Sequence, residues 1–323
     1  MNKHILYDEF NPSRKVKIMK SSHLKVQVST IFAHIVSGFT HNGIGGNPAG
    51  VVLDADALSE AQMQKVAAQL GLSETAFVSN STSDGFKLDF FTPVRRIAHC
   101  GHATVAAFAY MAEKGIVQEG MTSKETVDGS RAISIKGTMA YMEQLSPRYS
   151  APSDWLKQGV TLDSVLDSVG LSTKDLDVTV SPILVNTGNS FIVIGVKEGT
   201  RLQQLEPNFD AIEAISNKLD LVGYYLFTTN TDATDKDATT RMFAPRYGIK
   251  EESATGMAAG PLACVLYDIV GIKKHTFQIE QGKFMAPPSP SLISVDLTTS
   301  NGKITGLMAG GKGKVQQDIE IEL

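Results

Sequence analysis

Residues 90–115 read FFTPVRRIAHCGHATVAAFAYMAEKG, and the fold turns on this run. Residues 87–91 read as a strand, Pro93 marks a turn, and a helix follows Cys100, Gly101 and His102. From Ala103 to Met111 only Thr104 is polar. A helix apolar on every side has no face to give to water, so it must form the buried axis of a domain. At its start, free backbone N–H groups and the positive end of the helix dipole sit beside titratable side chains. That is the makeup of a site that binds an anion and moves a proton.

The run occurs twice. Residues 243–271 read FAPRYGIKEESATGMAAGPLACVLYDIVG. Phe91 and Pro93 are matched by Phe243 and Pro245, and Ile97 by Ile249. A turn of small residues then opens a second nearly all-apolar helix, over 257–270, which again ends at a glycine. Self-similarity at half a chain length means duplicated domains, since solenoid repeats return every 20–50 residues or so.

Working outward, residues 1–24 are polar and basic without sustained periodicity and read as a peripheral extension. A strand is expected over 25–33, then a glycine-rich loop, HNGIGGNPAG, over 41–50. Gly43 and Gly45 begin a dinucleotide fingerprint, but Pro48 stands at its third glycine and a strand follows instead of a helix, so the loop is read as a backbone turn near a ligand. Residues 59–70 read as an amphipathic helix with Ser59 as N-cap and Gly71 as its stop. Glu74 then stands at the mouth of an apolar strand, 75–78, where a carboxylate needs partners to offset lost hydration. Strands near 124–127, 132–135 and 140–144 follow, and the Pro- and Ser-rich 146–154 reads as a linker. Beyond it, helices over 162–169 and 209–219 alternate with strands over 178–184, 190–196, 221–228 and 239–243. Residues 186–189 form a second loop suited to a ligand. Strands over 276–281, 292–297, 304–307 and 318–323 end the chain. Two pseudo-symmetric α/β domains emerge, 25–148 and 149–323, each a barrel-like sheet around a central apolar helix. The last strands are free to return to the first domain.

Composition sets outer limits. A length of 323 residues suits two domains. A net charge of −4 gives no basic surface for nucleic acid. No apolar run reaches the roughly 18–20 residues of a membrane span, and no secretory signal opens the sequence. Two cysteines make no disulfide framework, so a reducing cytoplasm is the expected setting.

Five motifs in order now carry a resemblance: Gly46-Asn47-Pro48-Ala49-Gly50-Val51, Ser73-Glu74-Thr75-Ala76-Phe77-Val78, Phe91-Thr92-Pro93, Cys100-Gly101-His102-Ala103-Thr104 and Glu251-Glu252-Ser253-Ala254-Thr255-Gly256. Together they resemble the phenazine-biosynthesis PhzF-like family, of the diaminopimelate epimerase fold. The resemblance implies a cytoplasmic, cofactor-independent, biosynthetic isomerase with no metal, its site in the cleft between two barrels. It also implies a homodimer whose partner molecule is a small carboxylate substrate, without nucleic acid or membrane. Carried over residue by residue, it makes Glu74 the acid/base, with His102 and Glu252 as its catalytic partners. Asn47, Cys100, Gly101, Ser253 and Gly256 become substrate-binding residues, the two glycines through their backbone amides. Glu252 stands where the family usually has the shorter Asp, Ser253 replaces Pro, Met257 replaces a common Ser and Arg96 replaces an acidic residue. Ala286-Pro287-Pro288-Ser289 replaces a GRPS-like stretch, so the substrate is expected to differ from that of the phenazine enzyme.

Two other readings compete. A cysteine-type racemase or epimerase would use Cys100 as one thiol base, but the matching turn holds Glu252-Ser253-Ala254, and Cys264 lies two turns into the second helix. A catalytically silent, ligand-binding member of the fold would explain the departures at Glu252, Ser253 and Met257. For His102, the helix dipole by itself predicts a mostly neutral imidazole.

Overall fold

The computed structural model describes residues 30–231 and 234–323, so the extension expected over 1–24 lies outside the described residues. The first half contributes β1 (Thr30–Gly38), β2 (Asn47–Val52), α1 (Glu60–Leu70), β3 (Thr75–Ser79), β4 (Phe86–Phe91), β5 (Arg96–Ile97), α2 (Gly101–Glu113), β6 (Gly120–Thr126), β7 (Gly129–Lys136) and β8 (Met139–Gln144). The second contributes β9 (Arg148–Ser150), α3 (Pro152–Trp155), α4 (Leu162–Asp167), β10 (Ile183–Asn186), β11 (Ser190–Gly195), α5 (Gly199–Gln203) and α6 (Phe209–Leu219). It continues with β12 (Gly223–Thr228), β13 (Ala238–Phe243), α7 (Gly256–Asp268), β14 (Thr276–Gln281), β15 (Ser291–Ser300) and β16 (Lys303–Glu322).

The ladder β1–β2–β3–β4–β6–β7–β8–β16 returns to β1 and closes an eight-stranded barrel. From β16 the sheet runs on through β15, β14, β13, β12, β11 and β10 to β9, curving about α7. The duplication shows in the crossovers. Parallel β2 and β3 flank α1, as parallel β11 and β12 flank α5 and α6. Likewise β4 and β6 flank α2, as β13 and β14 flank α7. Both axial helices are 13 residues long and begin at a glycine.

These elements follow from local chemistry. Ser59 caps α1 in a capping box with Gln62, and Gly71 ends it at φ 65°. Every residue of α2 from Gly101 to Met111 is buried. In α7, Gly256 and the run from Ala258 to Tyr267 are buried, and Met257 packs against the cores of both halves. Burying a Phe or Leu side chain contributes about 1.5–3 kcal/mol, so these two helices carry much of the stability of their sheets.

Two expectations change. Residues 146–154 hold the edge strand β9, which pairs with β10, and α3, so the segment is structured beyond a linker. The strands expected over 304–307 and 318–323 are one 20-residue strand, paired with β15 and β8 at its start and with β1 at its end. The glycines between them serve close packing: a Cβ on Gly313 would stand 2.7 Å from that of Ala109. The strand passes against α2 only because side chains are missing there.

Candidate active site

Three chain segments converge between the helix starts. Glu74 leaves the loop after α1 one residue before β3, and its carbonyl accepts the Gly50 amide of β2 (2.9 Å). His102 is the second residue of α2. Glu252 lies in the turn between β13 and α7. Glu74 Oε2 stands 3.3 Å from His102 Nε2, and Glu252 Oε1 stands 3.3 Å from His102 Nδ1. Cys100 Sγ is 3.6 Å from the same Nδ1. The imidazole is 5% exposed and each carboxylate 14%. Glu74 Oε2 and His102 Nε2 face each other without hydrogen-bond geometry, shut off from solvent, and neither has another hydrogen-bond partner.

A clasp of hydrogen bonds joins the halves around this cluster. Asn47 Nδ2 donates to Glu252 Oε1 (2.9 Å) and to the Ala254 carbonyl (3.1 Å). Ser253 Oγ and Ser289 Oγ both donate to the Gly46 carbonyl, at 3.0 and 2.8 Å. Gly46 holds φ 84°, and a Cβ there would meet the Gly38 carbonyl oxygen at 2.6 Å, so only glycine can turn the loop this way. The glycine-rich loop thus grips the other half of the chain. Thr255 Oγ1 donates to Glu252 Oε2. Gln281, fully buried, donates through Nε2 to the Glu252 carbonyl (2.7 Å) and accepts the Thr255 amide at Oε1 (3.1 Å).

The helix starts themselves are open. Neither Cys100 nor Thr255 caps its helix with a side chain, so backbone N–H groups of α2 and α7 stay available for an anion. The two starts meet at Met257, whose Cγ would lie 3.3 Å from a Cβ on Gly101. Its sulfur accepts from Asn189 Nδ2 at 3.2 Å, which draws the 186–189 loop onto the same tip. Gln144 donates to the Gly256 carbonyl (2.8 Å) and accepts from Thr187 Oγ1 (2.8 Å).

Burial is the largest influence on His102 and pulls its proton off, yet the Cys100 sulfur and the Glu252 carboxylate outweigh it. The imidazole therefore titrates well above 6.5. The neutral ring expected from the helix dipole is corrected: two adjoining acceptors overcome a partial charge. His99 turns elsewhere, to Lys124 Nζ (3.1 Å) and the edge of the Phe90 ring. Burial first, then Lys124 and Arg131, hold it well below 6.5. Cys264 is buried in the second core, where burial pushes its thiol far up, so it offers no partner thiol to Cys100.

The family departures have structural outcomes. The extra methylene of Glu252 still brings its carboxylate to His102. The Ser253 hydroxyl and the Asn47 amide are engaged within the clasp. Arg96 pairs with Asp89 and with Glu60 at 3.3 Å.

With this geometry in place, likeness to known proteins becomes informative. The sequence pattern of the phenazine biosynthesis-like protein family, PhzC-PhzF, matches residues 36–315. The chain belongs to this family. An uncharacterized isomerase of Clostridium acetobutylicum is 33% identical over 237 residues, which span 72% of this chain and 77% of that protein. The structure of a Bacillus anthracis phenazine biosynthesis protein of the PhzF family superposes with a TM-score of 0.80 at 26% identity, covering 91% of this chain and 99% of that one. A hydroxyproline epimerase of Agrobacterium vitis shares the fold, with a TM-score of 0.55 at 11% identity over 92% of each chain. This PhzF-like chain is an isomerase with a diaminopimelate epimerase-like fold. Among its described residues no helix is long and apolar enough to cross a membrane.

Sequence reasoning missed Gln281, Gln144 and Lys124 as parts of the site's framework. Gln281 and Gln144 each end a strand, where a polar residue reads as the start of a loop. Lys124 sits in β6 between Ser123 and Glu125, and nothing in that polar run announces a buried lysine.

Proposed function

We propose that this PhzF-like isomerase moves a proton between carbons of a small carboxylic acid, with Glu74 as the group that takes and returns it. The single observation carrying this reading is the pair Glu74 Oε2 and His102 Nε2, sequestered from water and without hydrogen-bond partners beside the open start of α2. Unmet polar atoms held away from water have a use when a substrate arrives.

The chemistry needs no added cofactor, because one carboxylate serves as base and then as acid. Glu74 takes a proton from a carbon next to a carbonyl or carboxyl group, and the C–H electron pair passes to oxygen as an enolate. The Glu74 carboxylic acid then gives the proton to the far carbon of a C=C conjugated with that enolate, and the double bond shifts as the carbonyl re-forms. Free N–H groups of α2 and α7, through Gly101 and Gly256, hold the substrate carboxylate and the developing oxyanion. His102, whose proton the Cys100 sulfur and the Glu252 carboxylate hold more tightly than in a free imidazole, supplies a hydrogen bond to the same charge, and Glu252 orients its ring. Asn47 and Ser253 keep Glu252 and the second helix start in register. Cys100 fills the α2 mouth beside His102.

Incubating candidate acids in deuterated water tests the reading. The wild-type chain incorporates solvent deuterium into its substrate, and Glu74→Gln lowers turnover by about 10²–10⁴-fold, the usual contribution of a positioned acid/base. Turnover within a few-fold of wild type would remove Glu74 from this role.

A further inference from the structure

We propose that Lys124 is a positioning residue for the isomerase: through Thr104 and the Cys100 carbonyl it strengthens the Gly101 amide as a donor to the developing oxyanion. Its use in the reaction rests on the proton-transfer reading above. Lys124, fully buried in β6, donates through Nζ to Thr104 Oγ1 (2.6 Å). Thr104 Oγ1 donates in turn to the Cys100 carbonyl (2.6 Å), which also accepts the Thr104 amide (3.3 Å). That carbonyl belongs to the same peptide group as the Gly101 N–H, the first amide of α2. Resonance couples the two ends of a peptide group, so charge drawn onto the oxygen leaves the N–H more positive. Chained hydrogen bonds strengthen one another in this way by roughly 10–30% per bond, and a charged donor at the far end adds to the effect.

A cation buried beside the positive end of a helix is unfavourable on both counts, and an anion at that helix start offsets it. The other half of the chain shows what the relay adds. Gly256 opens α7 as Gly101 opens α2, but Ala259 stands where Thr104 does. There the Thr255 carbonyl accepts the backbone amides of Ala258 and Ala259, both at 3.0 Å, and an alanine side chain relays nothing. The α2 start is therefore the stronger donor. It suits charge that develops only during the reaction, whereas the α7 start suits a carboxylate that is charged throughout. Burial draws Lys124 down from 10.5 to about 7, so its pull on the Cys100 carbonyl fades as pH rises through neutrality. The groups facing the ammonium are His99 and Cys100 ahead of α2, Thr104 in α2, Phe90 in β4, Arg131 in β7 and Asp128 in the turn between β6 and β7.

Cys100–Gly101 is the one Cys–Gly pair in the sequence, so carbonyl-¹³C cysteine with ¹⁵N-glycine marks this peptide group alone in the full chain. Its resonances are followed by NMR from about pH 6 to about 8.5, across the titration of Lys124. A step is expected in wild type and in Thr104→Ser, and is lost in Thr104→Val and Lys124→Met. His102 adds a step that all four chains share, so the difference between chains is the readout. On the acid that takes up deuterium, Thr104→Val lowers kcat by roughly five- to twentyfold, a part of the 10²–10³ that a whole oxyanion donor contributes, and leaves KM within about twofold. Thr104→Ser, which keeps the hydroxyl, stays near wild type. A Thr104→Val peptide group that titrates as in wild type, a loss confined to KM, or a Thr104→Ser chain as slow as Thr104→Val each overturns the proposal. Failure of the isomerase reading looks different: no acid exchanges deuterium, although the step at the Cys100–Gly101 peptide is present.

Discussion

Lys124 tests the electrostatics behind the first helix start. Its ammonium group is fully buried, donates to Thr104 Oγ1 (2.6 Å), and lies 4.9 Å from the centre of the Phe90 ring. Thr104 in turn donates to the Cys100 carbonyl (2.6 Å), so this lysine braces the residue that opens α2. Burial pushes Lys124 down from 10.5 to about 7, with Cys100 and Asp128 pulling the other way and Arg131 adding to the effect. Between pH 7 and 10.5 the unfolded chain therefore holds one more proton than the native chain at this residue. Stability then rises with pH across this range, by on the order of a few kcal/mol from pH 7 to 10. Lys124→Met keeps the length and removes the proton. It also strips His99 Nδ1 of its neighbour, an orphaned group costing roughly 1–3 kcal/mol, which is constant over this range because His99 titrates far below it. Urea unfolding of both chains at pH 7, 8, 9 and 10 is the assay. The stability of wild type relative to variant should climb across the series by the amount given. Parallel curves would refute the argument, because they would mean that Lys124 keeps its ordinary proton inside the fold.

Glu252→Gln removes a charge that holds the proton on His102, so the histidine's pKa falls, read from its Cε1–H resonance in an NMR titration. Because His102 sits above its unfolded value, the stability it lends is complete below pH 6.5 and lost as pH rises through the native value; the substitution moves that loss to lower pH. An unmoved resonance would separate Glu252 from the imidazole. Asn47→Ala breaks the clasp at Glu252 and Ala254 and should destabilise by roughly 1–3 kcal/mol in thermal unfolding; no change would show that the halves are held elsewhere. Phe108→Ala, in the axis of the first barrel, should cost about 3–5 kcal/mol, against less than about 0.5 for Val94→Ala at an 84% exposed position.

The sequence by itself determined the two axial helices and their duplication, because an all-apolar helix can only be surrounded, and two of them require two surrounding sheets. The resemblance carried by short local motifs also named Glu74, His102 and Glu252, whose side chains the fold brings together. Helix boundaries set by local caps were legible too: α1 starts after Ser59 and stops at Gly71, the two residues read as its caps. Only the tertiary structure decided how β16 serves both halves, because its pairing with β15 and β8 at one end and β1 at the other is set by partners far away in the chain. The proton on His102 is decided partly this way: one helix start predicts a neutral ring, the neighbouring Cys100 sulfur pulls hardest against burial, and the Glu252 carboxylate adds to it from a turn 150 residues further along the chain. Lys124 is the extreme case: its neighbours in sequence are those of a surface strand. Its burial comes wholly from the barrel closing over it, which no local pattern encodes.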